Sequence, residues 1–149
     1  MNEDQIREYH LKVEDNIRKY GYHSTFVFSK SDPSFCYSTG LFKSFGMPEI
    51  FISSLPQNLS HSLIEKYVER FKGGVGIPLN IKLNDLIDKF SVYLVEVQKD
   101  KLKDYALSSV RFYGDNDYEY LQLIYPDTSG RFPGEIGYDY DQVIFGNVM

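Results

Sequence analysis

Tryptophan is missing from this 149-residue chain, cysteine occurs once and histidine three times. A single Cys36 excludes an intramolecular disulfide and a thiolate metal cluster, since each needs further cysteines at suitable spacing. A reducing cytoplasm is the expected setting. His10, His23 and His61 have no second histidine at three or four residues, so no metal site is expected. Basic residues are outnumbered, 16 Lys and Arg against 21 Asp and Glu for a net charge of -5, and they form no cluster. Nucleic acid is therefore not an expected partner, because backbone binding needs a concentrated positive footprint. No apolar run approaches the roughly 18 residues of a membrane span. The opening Met1-Asn2-Glu3-Asp4-Gln5 is acidic and polar where a secretory leader is basic and then apolar. No membrane partner is expected.

What the chain has in excess is aromatic rings: 13 Tyr and 11 Phe, making 16% of the residues aromatic. Much of the core must be built from tyrosines whose phenolic oxygens need partners. Tyrosine also suits a ligand-facing wall, offering large area at small entropic cost. A hydrophobic fraction of 42% and a charged fraction of 25% describe one soluble globular domain over residues 1–149. At this length about two-thirds of the surface of the unfolded chain can be buried.

Ile6, Tyr9, Val13, Ile17 and Tyr20 recur at spacings of three and four, which predicts an amphipathic helix over residues 3–20 stopped by Gly21. β-formers from Tyr22 to Ser29 and from Phe35 to Leu41, separated by Lys30-Ser31-Asp32-Pro33, predict a hairpin. Glu49 to Leu55 reads as a third strand. After Pro56 comes a helix with an apolar face of Leu59, Leu63, Ile64, Tyr67, Val68 and Phe71, ended by Gly73-Gly74. Residues 75–89 fit neither regular element. A strand from Phe90 to Gln98, a helix capped by Asp100, a strand from Tyr118 to Tyr125 and a short strand from Val143 to Phe145 complete the order. Short turns between strands favour antiparallel pairing. The expected fold is α+β, a mainly antiparallel, curved sheet with about three helices packed on it.

Several residues stand out chemically. His23, at the start of the first strand, can present one imidazole nitrogen to a cleft. Ser38 and Thr39 lie beside Gly40 at a strand end, where a nucleophile could face His23 with Glu49 or Asp127 behind it. No Gly-x-Ser-x-Gly elbow is present. Glu49 opens an otherwise apolar strand and, if buried, needs a donor such as Arg111 or Arg131. In the stretch from Gln122 to Pro133, Asp127 and Gly130 suit a tight turn, and Arg131 can grip an anion. Tyr37, Tyr113 and Tyr125 are candidate walls of an aromatic cleft, with Gln122, Asp127 and Arg131 as its polar contacts.

Phe35-x-Tyr37-x-x-Gly40-Leu41, Gly46-x-Pro48-Glu49, Leu55-Pro56, Phe112-Tyr113-Gly114 and Gln122-x-x-x-Pro126-Asp127-x-x-Gly130-Arg131-Phe132-Pro133 together resemble the motifs of a bacterial family, the domain of unknown function 4262. The resemblance runs from about Gly21 to Pro133. Where members often carry tryptophan, near the His23 position and after the Phe-Pro pair, this chain has Tyr22 and Gly134. The resemblance implies a small soluble bacterial protein and brings no activity, cofactor or catalytic residue.

Four functions follow as expectations. The first is a binding or regulatory module that takes a small molecule or a protein in its aromatic cleft. The second is a hydrolase using His23 with Ser38 or Thr39. A planar cofactor such as flavin in the cleft is the third, although no cofactor is required. The fourth is an immunity-like antagonist of another protein, by analogy with other small acidic domains.

Overall fold

Helix α1, Glu3–Tyr20, begins with a reciprocal capping box: the Asn2 side chain accepts from the Gln5 amide and the Gln5 side chain accepts from the Asn2 amide. Glu3 and Asp4 in its first turn and Arg18 and Lys19 in its last complement the helix dipole. This is a computed structural model, described for residues 2–28, 30, 33–73 and 76–146. The bounds of α1 agree with the periodicity, but its stripe is unevenly buried. Val13 and Ile17 are in the core, whereas Ile6 is 41% and Tyr20 67% exposed.

Strands β1 (His23–Val27) and β2 (Phe35–Thr39) pair antiparallel from His23 against Thr39 to Val27 against Phe35, the expected hairpin. Ser31 and Asp32 of its predicted turn, and Ser29, lie outside the described residues. Between β2 and β3 (Glu49–Ser53) stands a five-residue helix, α2 (Leu41–Phe45), where the sequence shows only a loop. It is too short for any periodicity to register and is bounded by Gly40 and Gly46, both left-handed. A Cβ on Gly40 would lie 2.8 Å from an Ile17 carbon and 2.9 Å from the Gly21 carbonyl oxygen, so only glycine lets α1 approach here.

Helix α3, Gln57–Phe71, buries Leu63, Ile64, Tyr67, Val68 and Phe71 as its pattern requires. It ends at Phe71, before Gly73, and Gly74 lies outside the described residues. Residues 76–92 contain no helix or strand apart from a bridge between Leu83 and Val92, and Leu83, Leu86 and Ile87 are buried in the same cluster as the α3 face. Strand β4 is Tyr93–Val97. The single helix expected after Asp100 is instead a 3-10 turn, Lys99–Leu102, followed by α4, Leu107–Tyr113. The break at Ala106 lets Leu102 and Ala106 both reach the core while Tyr105 stays 41% exposed.

Strand β5, Tyr120–Ile124, enters between β3 and β4, giving an open sheet of order β1-β2-β3-β5-β4. Three pairings are antiparallel, but β3 and β5 are parallel. Among the described residues the fold is thus a mixed sheet with four α-helices. Turn chemistry could not reveal the parallel contact, because it joins strands separated by two helices and β4. The expected strand at Val143–Phe145 is not one. Side chains take the place of a ladder: Ser53 Oγ both accepts from Val143 N and donates to its carbonyl, and Gln122 accepts from the amides of Phe145 and Gly146.

One sheet face, carrying Cys36, Ile50, Ile52, Leu94, Leu121 and Leu123, packs in the cluster that holds α3. Tyr37, Phe51, Val97 and Tyr120 belong to a second cluster with Leu102, Ala106 and Tyr113 of the α4 region.

Candidate functional site

Glu49 is fully buried and has five hydrogen-bond donors around it. Ser38 Oγ donates to it at 2.8 Å, the amides of Gly40, Leu41 and Phe42 at 3.1, 3.2 and 3.0 Å, and the Tyr113 hydroxyl completes the cage. Burial pushes its carboxyl up from the ordinary value, and the donors from Tyr113, Phe42, Ser38 and Leu41 oppose that shift. The cage is built for the anion. Ser38 Oγ and the Tyr113 hydroxyl each donate to Glu49 while accepting from Ile50 N and Lys43 N respectively. Neither Arg111 nor Arg131 supplies the expected cation: Arg131 pairs with Asp127, and Glu49 has no salt bridge among the described residues.

His23 lies across the hairpin from Thr39, yet its ring nitrogens face α1. Asn16 Nδ2 is 2.8 Å from its Nδ1 and the Tyr9 hydroxyl 3.2 Å from its Nε2, while Tyr9 donates on to Thr25 at 2.9 Å. The pattern closes if Nε2 carries the proton. Burial, helped by the Lys12 and His61 charges, lowers the imidazole pKa to about 4. Thr39 Oγ1 is fully buried, 2.8 Å from Ser109 Oγ. Among the described residues no hydrogen bond joins His23 to Ser38 or Thr39. A serine hydroxyl meets an imidazole elsewhere, Ser24 Oγ to His61 Nδ1 at 2.7 Å, with Cys36 Sγ 3.5 Å from the serine. The cross-strand position of Ser24 could have suggested it, but a helix residue 37 positions away could not be placed from sequence. Burial pushes the Cys36 thiol up to about 11, against hydrogen bonds from Ser24 and the Tyr37 backbone.

The late turn is likewise self-contained. Asp127 accepts from the amides of Ser129, Arg131 and Asp139 and from Arg131 Nε at 3.0 Å. Burial opposes its ionisation, but these donors outweigh it and hold the carboxyl below its ordinary value. Gln122 lies in one cross-strand row with Tyr37 and Phe51 and donates to the Val143 carbonyl. Tyr125 donates to the Ser53 carbonyl. Among the described residues every buried side-chain nitrogen and oxygen has a partner, and no three His, Cys, Asp or Glu side chains gather as metal ligands would.

Tyr37 and Tyr125 border different depressions. The one at Tyr37 is a groove of about 710 Å³ running between α1, the β1–β2 hairpin and the start of α4. Ile6, Tyr9, Phe35, Tyr105 and Leu107 line it, with His10, Thr25, Asp104 and Ser108 as polar neighbours. Ile6, Phe28, Tyr105 and Leu107, four of the large apolar side chains left exposed, all line it. Phe35 and Tyr37 stack at 6.2 Å, and Tyr105 meets Phe35 edge-on at 5.8 Å. The Tyr37 hydroxyl accepts from Ser108 N at 3.0 Å, which fixes α4 to the groove floor. The depression at Tyr125, about 960 Å³, is bordered by loop ends and by Asp139 and Asp141.

The family model for a domain of unknown function, DUF4262, matches residues 16–139. No curated protein and no solved structure matches the chain.

Proposed function

Because the chain belongs to the DUF4262 family, whose description assigns no activity, we propose from the geometry that it is a binding module whose ligand lies in the groove between α1 and the hairpin. The observation that carries this reading is the gathering of Ile6, Phe28, Tyr105 and Leu107, all exposed, around one concavity. Its volume falls within the roughly 300–1,000 Å³ of small-molecule sites, and its lining is mainly apolar with a few polar groups, Thr25, Asp104, His10 and Ser108 among them, as such sites are. Apolar side chains left in water together are costly unless something covers them. The occupant is a small molecule with a flat or extended apolar body.

The engagement of the other candidates supports a non-catalytic role. Ser38 and Tyr113 hold Glu49, His23 ties α1 to the sheet, and Gln122 and Asp127 anchor the final segment. Their hydrogen-bonding capacity serves the fold.

The test uses the neutral fluorophore N-phenyl-1-naphthylamine. Wild type should bind it saturably, and Ile6→Asp and Leu107→Asp should each weaken binding by about tenfold, as expected when an apolar contact is replaced by a charge. Both positions are exposed, so melting temperatures should stay near wild type. Ile136→Asp, 99% exposed and away from the groove, is the control. Equal binding by all four proteins, or none by wild type, refutes the proposal.

A further inference from the structure

The inward stripe of α1 does not end at the groove. Beyond His10 it continues through Val13, Glu14, Ile17 and Arg18, which form one side of a cleft of about 480 Å³. Lys43 of α2 and Arg111 and Phe112 of α4 form the other. His10 and Ser108 border both hollows, so groove and cleft are two halves of one trough along α1. From Ile6 to Arg18 it runs about 18 Å at 1.5 Å per residue.

The two halves differ in charge. The cleft holds three basic side chains and His10 against the single carboxylate of Glu14, on a chain whose net charge is -5. Arg18 is paired with Asp15 at 3.2 Å. Arg111 and Lys43 are exposed, and among the described residues neither has an acidic partner. The Lys43 ammonium lies 5.4 Å from the Phe112 ring centroid. Burial and the Arg111 charge lower the His10 pKa, with Glu14 opposing, so the arginine's field reaches the seam between the halves. A fork of guanidinium donors without a carboxylate suits a planar or tetrahedral oxyanion.

We propose that the ligand is an amphipathic anion, its apolar body in the groove and its carboxylate, sulfonate or phosphate group between Arg111 and Lys43. This rests on the groove being the binding site, and the test separates the two claims. 1-Anilinonaphthalene-8-sulfonate has the skeleton of N-phenyl-1-naphthylamine with a sulfonate added. Arg111→Gln and Lys43→Gln, both at exposed positions, should each weaken sulfonate binding by about tenfold, the worth of a charge-assisted hydrogen bond. The neutral probe should be unaffected, and added salt should weaken only the sulfonate. If the neutral probe binds while the sulfonate does not bind, or binds without regard to both variants, the anion site is overturned and the groove stands. Sulfonate binding that depends on Arg111 with no neutral binding keeps the anion site and removes the groove. Loss of both probes in either variant marks a structural effect and overturns the anion site, and binding of neither probe by wild type overturns both.

Discussion

Glu49 is a buried carboxyl without a counter-ion among the described residues, held by main-chain amides and two hydroxyls. Removing one member of such a cage leaves the others desolvated and unpaired, which costs more than the bond was worth. Glu49→Ala, which leaves several buried donors unpaired, should lower the unfolding free energy by at least about 2 kcal/mol and Tyr113→Phe by about 1–3 kcal/mol. Urea unfolding of the purified variants measures both, and a loss below about 1 kcal/mol for Glu49→Ala would show that the cage is dispensable. That Glu49 would need donors if buried was legible, because it opens an apolar strand. Its partners were not. Arginine was the expected donor, and the actual donors include the first amides of a helix of one and a half turns that no pattern reveals.

Helix α1 is docked by few core residues, Val13 and Ile17, and by the polar bridge from Tyr9 and Asn16 to His23. That bridge is sensitive to acid. The folded imidazole has a pKa of about 4 against an ordinary 6.5, so as pH falls below 6.5 the unfolded chain takes up the proton first. The stability His23 contributes is complete above 6.5 and drains away toward 4. Thermal unfolding at pH 7 and pH 5 should show wild type losing more than His23→Gln. The contributions of His61 and Glu49 are common to both proteins and cancel, so equal losses would refute the claim. The helices α1 and α3 could be read from caps and apolar spacing, and the hairpin from its turn. The parallel β3–β5 pairing, the break at Ala106 and the side-chain clamp on the last residues depend on contacts between distant segments, which spacing does not encode.

Helix and hairpin, once assembled, leave a trough with an apolar half and a basic half meeting at His10 and Ser108. An aromatic-walled cleft was expected from the abundance of tyrosine; of its three expected tyrosines Tyr37 borders the groove, while Tyr113 and Tyr125 do not. Arg131 and Asp127 hold each other, while Arg111, expected as a structural partner of Glu49, stands open in the basic half. The trough is lined by α1 and α4 together, so its composition is scattered over a hundred positions of sequence.

The most direct measurement is an amide-resolved NMR titration of the isotopically labelled protein with N-phenyl-1-naphthylamine. Saturable shifts confined to residues 6–10, 25–28, 35–37 and 104–108 are predicted. Saturable shifts centred instead on Tyr125 and residues 139–141, with the α1 amides unmoved, would contradict the groove as the binding site.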